Sequence, residues 1–145
     1  MTFVIRAFTR ADEAAVVTLW RAAGLTRPWN DPHADIARKH TVQAELFLVG
    51  ELEGEIVASA MAGYDGHRGS VYYLAVSPAH QRRGHARALM AEVEHRLTAI
   101  GCPKLNLMVR RDNGAAVGFY ARIGYDEQAV VTLGKRLIAD EPGER

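Results

Sequence analysis

The spacing of apolar and polar positions changes period several times along the chain. Residues 2–8, "TFVIRAF", read as a short strand, and a helical spacing follows that puts Val16, Leu19, Trp20 and Ala23 on one face. Thr9 stands as its N-cap with Asp12 three residues on, and Gly24 is placed to end it. In the turn-rich "RPWNDP" (27–32), Asp31 and Pro32 read as N-cap and first residue of a second helix running to about Gln43. The period then shortens. "ELFLVGEL" and "EIVASAMAGY" are two strands that meet at Glu53-Gly54, a hairpin signal. "DGHRG" turns the chain into a third strand, "SVYYLAV", which Pro78 stops because it has no N–H to donate.

From Gly84 onward Leu89, Met90, Val93, Leu97 and Ile100 recur at helical spacing, and Gly101 and Pro103 close that helix. "KLNLMV" (104–109) reads as a strand, "DNGAAVGFYARIG" (112–124) as a helix stopped by Gly124, and "QAVVTLGKRL" (128–137) as a last strand. Strand 70–76, helix 84–100 and strand 104–109 form a β-α-β unit, so the two strands should be parallel with a right-handed crossover. The expected fold class is α/β, more narrowly an α+β mixed sheet. It has an antiparallel N-terminal half, a central β-α-β unit and helices on both faces, in a single domain spanning 1–145. Ligands of such sheets bind beyond the carboxyl ends of the parallel strands.

Bulk composition narrows the function more by exclusion than by assignment. A formal net charge of +1 gives no global reason for nucleic acid or an anionic membrane as partner. One cysteine, Cys102, allows no internal disulfide and fits a reducing compartment. The first residues carry charge too early for a secretory signal, and no long apolar run follows, so a cytoplasmic protein is expected. The His, Asp and Glu residues show no metal-ligand spacing, and no metal is expected.

The most informative stretch is "SPAHQRRGHARALM" (77–90), where a strand gives way to a helix. The first N–H groups of a helix lack intrahelical acceptors, and the helix dipole adds positive potential there, so this junction can hold an anion. Gly84 allows close approach of the backbone, Ala86 keeps the next position small, and Arg82 and Arg83 offer forked donors suited to phosphate oxygens. Taken locally, a solvated basic turn opening an amphipathic helix explains the same residues.

The wider pattern resembles the GNAT acetyltransferase superfamily. "YYLAVSPAHQRRGHARALM" is similar to its signature of a strand, V-x-P and Q/R-x-x-G-x-G/A, here Gln81 to Ala86. "DNGAAVGFYARIGY" is similar to its last block, an asparagine followed by FY-x-x-x-GY. More narrowly, "RPWNDP", "GYDGHRGS" and "LGKRLI" resemble the YpeA-like branch. The resemblance implies acetyl-CoA as acetyl donor and an N-acetyltransferase acting on a primary amine by direct transfer in a ternary complex. It implies that the amides of Arg82, Arg83, Gly84, His85, Ala86 and Arg87 hold the pyrophosphate. The backbone of Leu74, Ala75 and Val76 would face the pantetheine arm and polarise the acetyl carbonyl.

Asn113, Ala116 and Tyr120 are spaced i, i+3, i+7 and share a helix face. The resemblance makes Asn113 a partner of a pantetheine amide, with Ala116 leaving it room and Tyr120 acting as general acid toward the departing thiolate. Phe119 reads as core. The departure from the family is at the base. A related branch acetylating ribosomal-protein N-termini carries a glutamate on the strand before the asparagine, where this chain has Met108. Asp31, Asp65, His67 and Tyr73 are other titratable residues in reach of the question, and none is assigned as base. Arg27, Trp29, Asn30 and Asp65 are expected on the acceptor side, with Arg27 reading an acceptor carboxylate or other anion.

Two competing functions remain at this level. A non-catalytic acyl-CoA-binding module or sensor would share the fold, although Asn113 and Tyr120 argue against it. A nucleic-acid-binding domain built on Arg82, Arg83, Arg87, Arg110 and Arg111 is disfavoured by the low net charge and the lack of interleaved aromatics. Partners are therefore expected to be acetyl-CoA and an amine acceptor, small molecule or peptide, with no nucleic acid and no membrane. Monomer and homodimer both stay open.

Overall fold

The computed structural model describes residues 2–141, so residue 1 and residues 142–145 of the expected 1–145 domain lie outside the described residues. Strand β1 (Phe3–Ala7) leads through a 3-10 turn at Arg10–Asp12 into α1 (Glu13–Ala22) and then α2 (Pro32–Lys39). Strands β2 (Phe47–Leu52), β3 (Glu55–Tyr64) and β4 (Gly69–Val76) follow, then α3 (His85–Ala99), β5 (Leu105–Asn106) and α4 (Gly114–Arg122). The strands lie in one sheet in sequence order, antiparallel from β1 to β4, with β4 and β5 parallel across the α3 crossover.

Local chemistry sets the helix starts. The Asp12 carboxylate accepts from the Thr9 N–H at 2.8 Å and from the Thr9 hydroxyl at 3.1 Å, closing the turn ahead of α1. The same carboxylate takes two bonds from the Arg6 guanidinium, at 2.8 and 2.9 Å. Those bonds hold its pKa down to about 2. The Asp31 side chain accepts from the His33 N–H at 2.9 Å, with Pro32 next in sequence, and α2 starts there. It ends at Lys39, four residues before Gln43. Gln43 adopts a left-handed φ of 52°, and its carboxamide bonds both the N–H and the carbonyl of Tyr64, at 2.8 and 2.9 Å.

Alternation along β2 and β3 divides the core between the two faces of the sheet. Phe47, Val49 and Met61 pack with Val16, Val17, Leu19, Trp20 and Ile36 of α1 and α2. Leu48, Ala58, Ala60 and Ala62 pack with Leu89, Met90, Val93 and Leu97 of α3. Helices thus cover both faces, as the sequence predicts. No helix among the described residues is long and apolar enough to cross a membrane.

Two expectations for strands fail at the carboxyl-terminal side. The strand expected over 104–109 is paired only at Leu105–Asn106, and the one expected over 128–137 does not form. A strand exists by virtue of a ladder partner, and β-propensity alone supplies none. β5 offers too short an edge, so Val131 and Leu133 remain 84% and 89% exposed in irregular chain.

Candidate functional site

The site begins with a counting mismatch between β3 and β4. Ser59 faces Ala75 and Met61 faces Tyr72, so the single residue Ala60 opposes the pair Tyr73 and Leu74. This is a β-bulge, and Tyr73 absorbs it with a left-handed φ of 53°. A non-glycine residue held there costs about 1–3 kcal/mol, so its surroundings must fix it. They do so through its ring and its carbonyl. The Tyr73 ring stacks on Trp20 with centroids 3.7 Å apart, and its carbonyl accepts from the Ser59 hydroxyl at 2.8 Å. Ser59 in turn accepts from the Trp20 indole N–H at 2.8 Å.

The extra residue reverses the alternation of β4. Val71, Leu74 and Val76 all join the α3 face although 71 and 74 differ by an odd number, while Tyr73 and Ala75 join the α1 face. Pairing with β5 stops earlier along β4, at Ser70. Only Gly69 with Leu105 and Ser70 with Asn106 are in register, supported by the Gly69 N–H to Lys104 carbonyl bond at 2.8 Å. Beyond them β4 and β5 no longer pair, so Leu74, Ala75 and Val76 have no β5 partner and the ladder has an opening toward the carboxyl ends of the two strands.

The turn after β4 closes one end of that opening. Arg82 and Gly84 are both left-handed, with φ of 64° and 82°, and Gly84 is the N-cap of α3, with no side chain to satisfy the first amides. The first helical bond runs from the Ala88 N–H to the Gly84 carbonyl at 3.0 Å, so the amides of His85, Ala86 and Arg87 precede it. A Cβ added at Gly84 would meet nothing within 4 Å, so the glycine answers a backbone angle and not crowding. Arg82 and Arg83 are exposed and form no ion pair among the described residues. His85 stacks on Phe3 with centroids 4.2 Å apart, and burial with the nearby Arg83 and His80 lowers its pKa. Cofactor phosphates fit this cradle, because its donors are backbone amides with open space above them.

Helix α4 supplies the other wall. The Asn113 Oδ1 accepts from the Ala116 N–H at 3.1 Å, so the asparagine is the helix cap, and its side-chain NH2 has no partner among the described residues. Tyr120 packs edge-on against Phe119 and Tyr125, at 5.1 and 5.7 Å between centroids. Burial pushes its phenol up to about 12. Phe119 packs against the α3-side core, as expected of it.

On the acceptor side the structure sorts the four expected residues. The Arg27 guanidinium donates through Nη1 to the carbonyls of Gly24 and Thr26 at 2.8 and 2.9 Å, which ties it to the end of α1. Trp29 is 50% exposed and carries the Arg110 guanidinium over its ring at 5.9 Å. Asn30 donates to the Tyr73 hydroxyl at 2.9 Å and to Asp35 at 2.7 Å, and Tyr73 donates to Asp35 at 2.6 Å. Asp65 accepts the N–H groups of His67 and Arg68, both at 2.8 Å, in the turn before β4. It therefore lies in the turn before Gly69, which is itself about 17 Å along β4 from Leu74.

Several groups at the site escape the sequence reading. Ser59, Asp35 and the bulge at Tyr73 are found only through contacts between distant segments. Arg136 reaches Asn30 Oδ1 at 3.4 Å from the irregular segment that was expected as a strand. Burial and the Asp35 carboxylate raise the Tyr73 phenol well above its ordinary value, so Tyr73 is a proton donor to Asp35 and no free base. Met108 is 59% exposed beyond the paired part of β5 and brings no titratable group.

A mixed sheet with a bulged β4, a brief parallel pairing to β5 and a helix start with uncapped amides agrees with an acyl-group transferase. Residues 14–125 match the profile of the Acetyltransferase (GNAT) family, and the chain belongs to that family. It is 53% identical over 137 residues to Acetyltransferase YE1169 of Yersinia enterocolitica, covering 94% of this chain and 97% of that protein. It is 54% identical over 136 residues to Acetyltransferase ECA0875 of Pectobacterium atrosepticum, covering 94% and 96%. Among solved structures, the ribosomal-protein-S18-alanine N-acetyltransferase of Escherichia coli superposes with a TM-score of 0.75 at 25% identity, over 88% of this chain and 80% of that one. The chain is an acetyltransferase by family.

Proposed function

We propose that the protein transfers the acetyl group of acetyl-CoA to a primary amine by direct attack within a ternary complex. The observation that supports this reading is the short β4–β5 pairing, which leaves Leu74, Ala75 and Val76 beyond the Tyr73 bulge without a β5 partner, next in sequence to the uncapped first amides of α3. Acetyl-CoA would supply the activated thioester. The amides of 82–87 bind its pyrophosphate, with the Arg82 and Arg83 side chains secondary. The edge of Leu74, Ala75 and Val76 pairs with the pantetheine arm, and an N–H of that edge polarises the acetyl carbonyl. The Asn113 NH2 group, left over from capping, bonds a pantetheine amide where Ala116 leaves space.

Tyr120 gives its proton to the leaving sulfur. A phenol near 12 keeps that proton at any physiological pH. The burial that raises the phenol also raises a thiolate formed beside it, so the two stay matched for transfer. Trp29 and Asn30 border the acceptor, and the setting is cytoplasmic.

Thermal unfolding with acetyl-CoA and CoA release with a panel of amines and peptides test the proposal together. Stabilisation by several degrees and amine-dependent release are expected. Absence of any shift at millimolar acetyl-CoA overturns the cofactor assignment. A shift without release under the whole panel replaces the enzyme with an acyl-CoA-binding module.

A further inference from the structure

An open basin of about 480 Å³ lies against α2, lined by Arg38, Gly134, Arg136, Leu137, Ile138 and Asp140, with Lys135 at its wall. That volume suits a small molecule. It sits on the α1 and α2 face of the sheet, across from α3 and its amides, so it is not the phosphate cradle. Its charges are unevenly spent. Arg38 is committed to Asp35 at 2.9 Å and Asp140 at 2.5 Å. Lys135 has no ion pair among the described residues, and Arg136 has only long bonds, to the Ile138 carbonyl at 3.3 Å and Asn30 Oδ1 at 3.4 Å. Asp35 and Asp140 are both paired with Arg38, and Arg136 lies near enough to Asp140 to help hold its pKa down, so the spare positive charge of the wall rests on Lys135 and in part on Arg136.

The basin is joined to the opening by a short chain of contacts. Arg136 touches Asn30, Asn30 donates to the Tyr73 hydroxyl, and Tyr73 is the bulge residue directly before Leu74. A molecule whose amine reaches the opening at Leu74 would extend its far end toward Lys135 and Arg136. Leu137 and Ile138 give the basin itself apolar surface suited to an alkyl stretch. Resting on the acetyl-transfer reading above, we infer that the acceptor is a primary amine that also carries an oxyanion, carboxylate or phosphate, bound by Lys135 and Arg136. Arg136 is suited to this by its planar fork and Lys135 as a point charge. The role expected of Arg27 from the sequence thus falls to residues over one hundred positions later.

Conjugates in which CoA sulfur is linked through an acetyl spacer to an ω-amino acid, an ω-aminoalkyl phosphate or the matching neutral amide provide the probes. Spacers of two to five methylenes cover the reach, and calorimetry gives the affinities. At the best spacer length the oxyanion conjugates should bind at least tenfold tighter than the amide, and whichever oxyanion binds tighter identifies the source. In a Lys135→Ala, Arg136→Ala double variant that advantage should shrink below twofold, and a double Gln variant guards against a folding defect. Equal binding of amide and oxyanion conjugates at every length overturns the inference, as does an advantage that survives both variants. CoA alone serves as the separate control: a protein that does not bind it sinks the acetyl-transfer reading and this inference with it.

Discussion

The Ser59 hydroxyl donates to the Tyr73 carbonyl across 2.8 Å and accepts from the Trp20 indole, so one fully buried serine satisfies the carbonyl that the bulge takes out of the ladder. Buried polar atoms left without partners cost about 1–3 kcal/mol each, and Ser59→Ala strands two of them. The variant should lose stability on that scale and also weaken acetyl-CoA binding, because the Tyr73 conformation relaxes. A core truncation of comparable cost away from the opening, Val49→Ala, should lower the unfolding midpoint and leave acetyl-CoA affinity alone. Denaturant melts with calorimetric titration of both variants check this, and equal affinities would separate the bulge from the site.

The turn at 81–87 makes a second prediction. Gly84→Val places a β-branched residue at φ 82°, a conformation costing an L-residue about 1–2 kcal/mol, and obstructs the space above the amides. Acetyl-CoA affinity should fall more than tenfold. Arg83→Ala removes only an exposed side chain and should cost less than threefold. Isothermal titration measures both, and equal losses would mean that side-chain charge, not the backbone cradle, holds the phosphates.

Tyr120→Phe keeps the edge-on packing and removes the phenol proton. The maximal rate should drop about a hundredfold or more while the KM for acetyl-CoA stays within twofold. The thermal midpoint should hold, because the hydroxyl has no hydrogen-bond partner among the described residues. A rate within twofold of the wild type would reduce Tyr120 to a core aromatic.

Stability should fall at both ends of the pH scale for assignable reasons. Asp12, held at about 2 by Arg6, binds its proton less tightly folded than unfolded. Its contribution is complete above the ordinary carboxylate pKa and disappears as pH falls from about 4 to about 2. Tyr120 is shifted the other way, to about 12, so its contribution is complete below about pH 10 and is lost between about 10 and 12. Urea midpoints across pH should show a flatter acid limb in Asp12→Asn and a flatter alkaline limb in Tyr120→Phe. Unchanged slopes in either variant would remove that group from the account.

Much of this was readable from the chain. Asp31-Pro32 marks the start of α2, Gly101 follows the end of α3, and Gly84 marks the turn because only a left-handed backbone needs it. The bulge was hidden for a definite reason. "VYYLAV" is apolar at every position, so a reversal of alternation leaves no trace in its pattern. The last strand was misjudged because its β-branched residues report propensity and say nothing of a free edge. The bonds of Arg27 to carbonyls at the end of α1 were hidden as well, because a sequence does not display backbone acceptors. The pairing of Asn30 with Tyr73 spans 43 positions, and local spacing carries no information at that range.

The bulge sets stability and activity against each other at one position. Deleting a single residue from β4 at Tyr72 would let its remaining residues match β3 one for one and relieve the left-handed tyrosine. Such a chain would be a better sheet and a poorer enzyme. What makes the bulge is arithmetic, one surplus residue in a strand, and a mutation that touches no ligand could remove it.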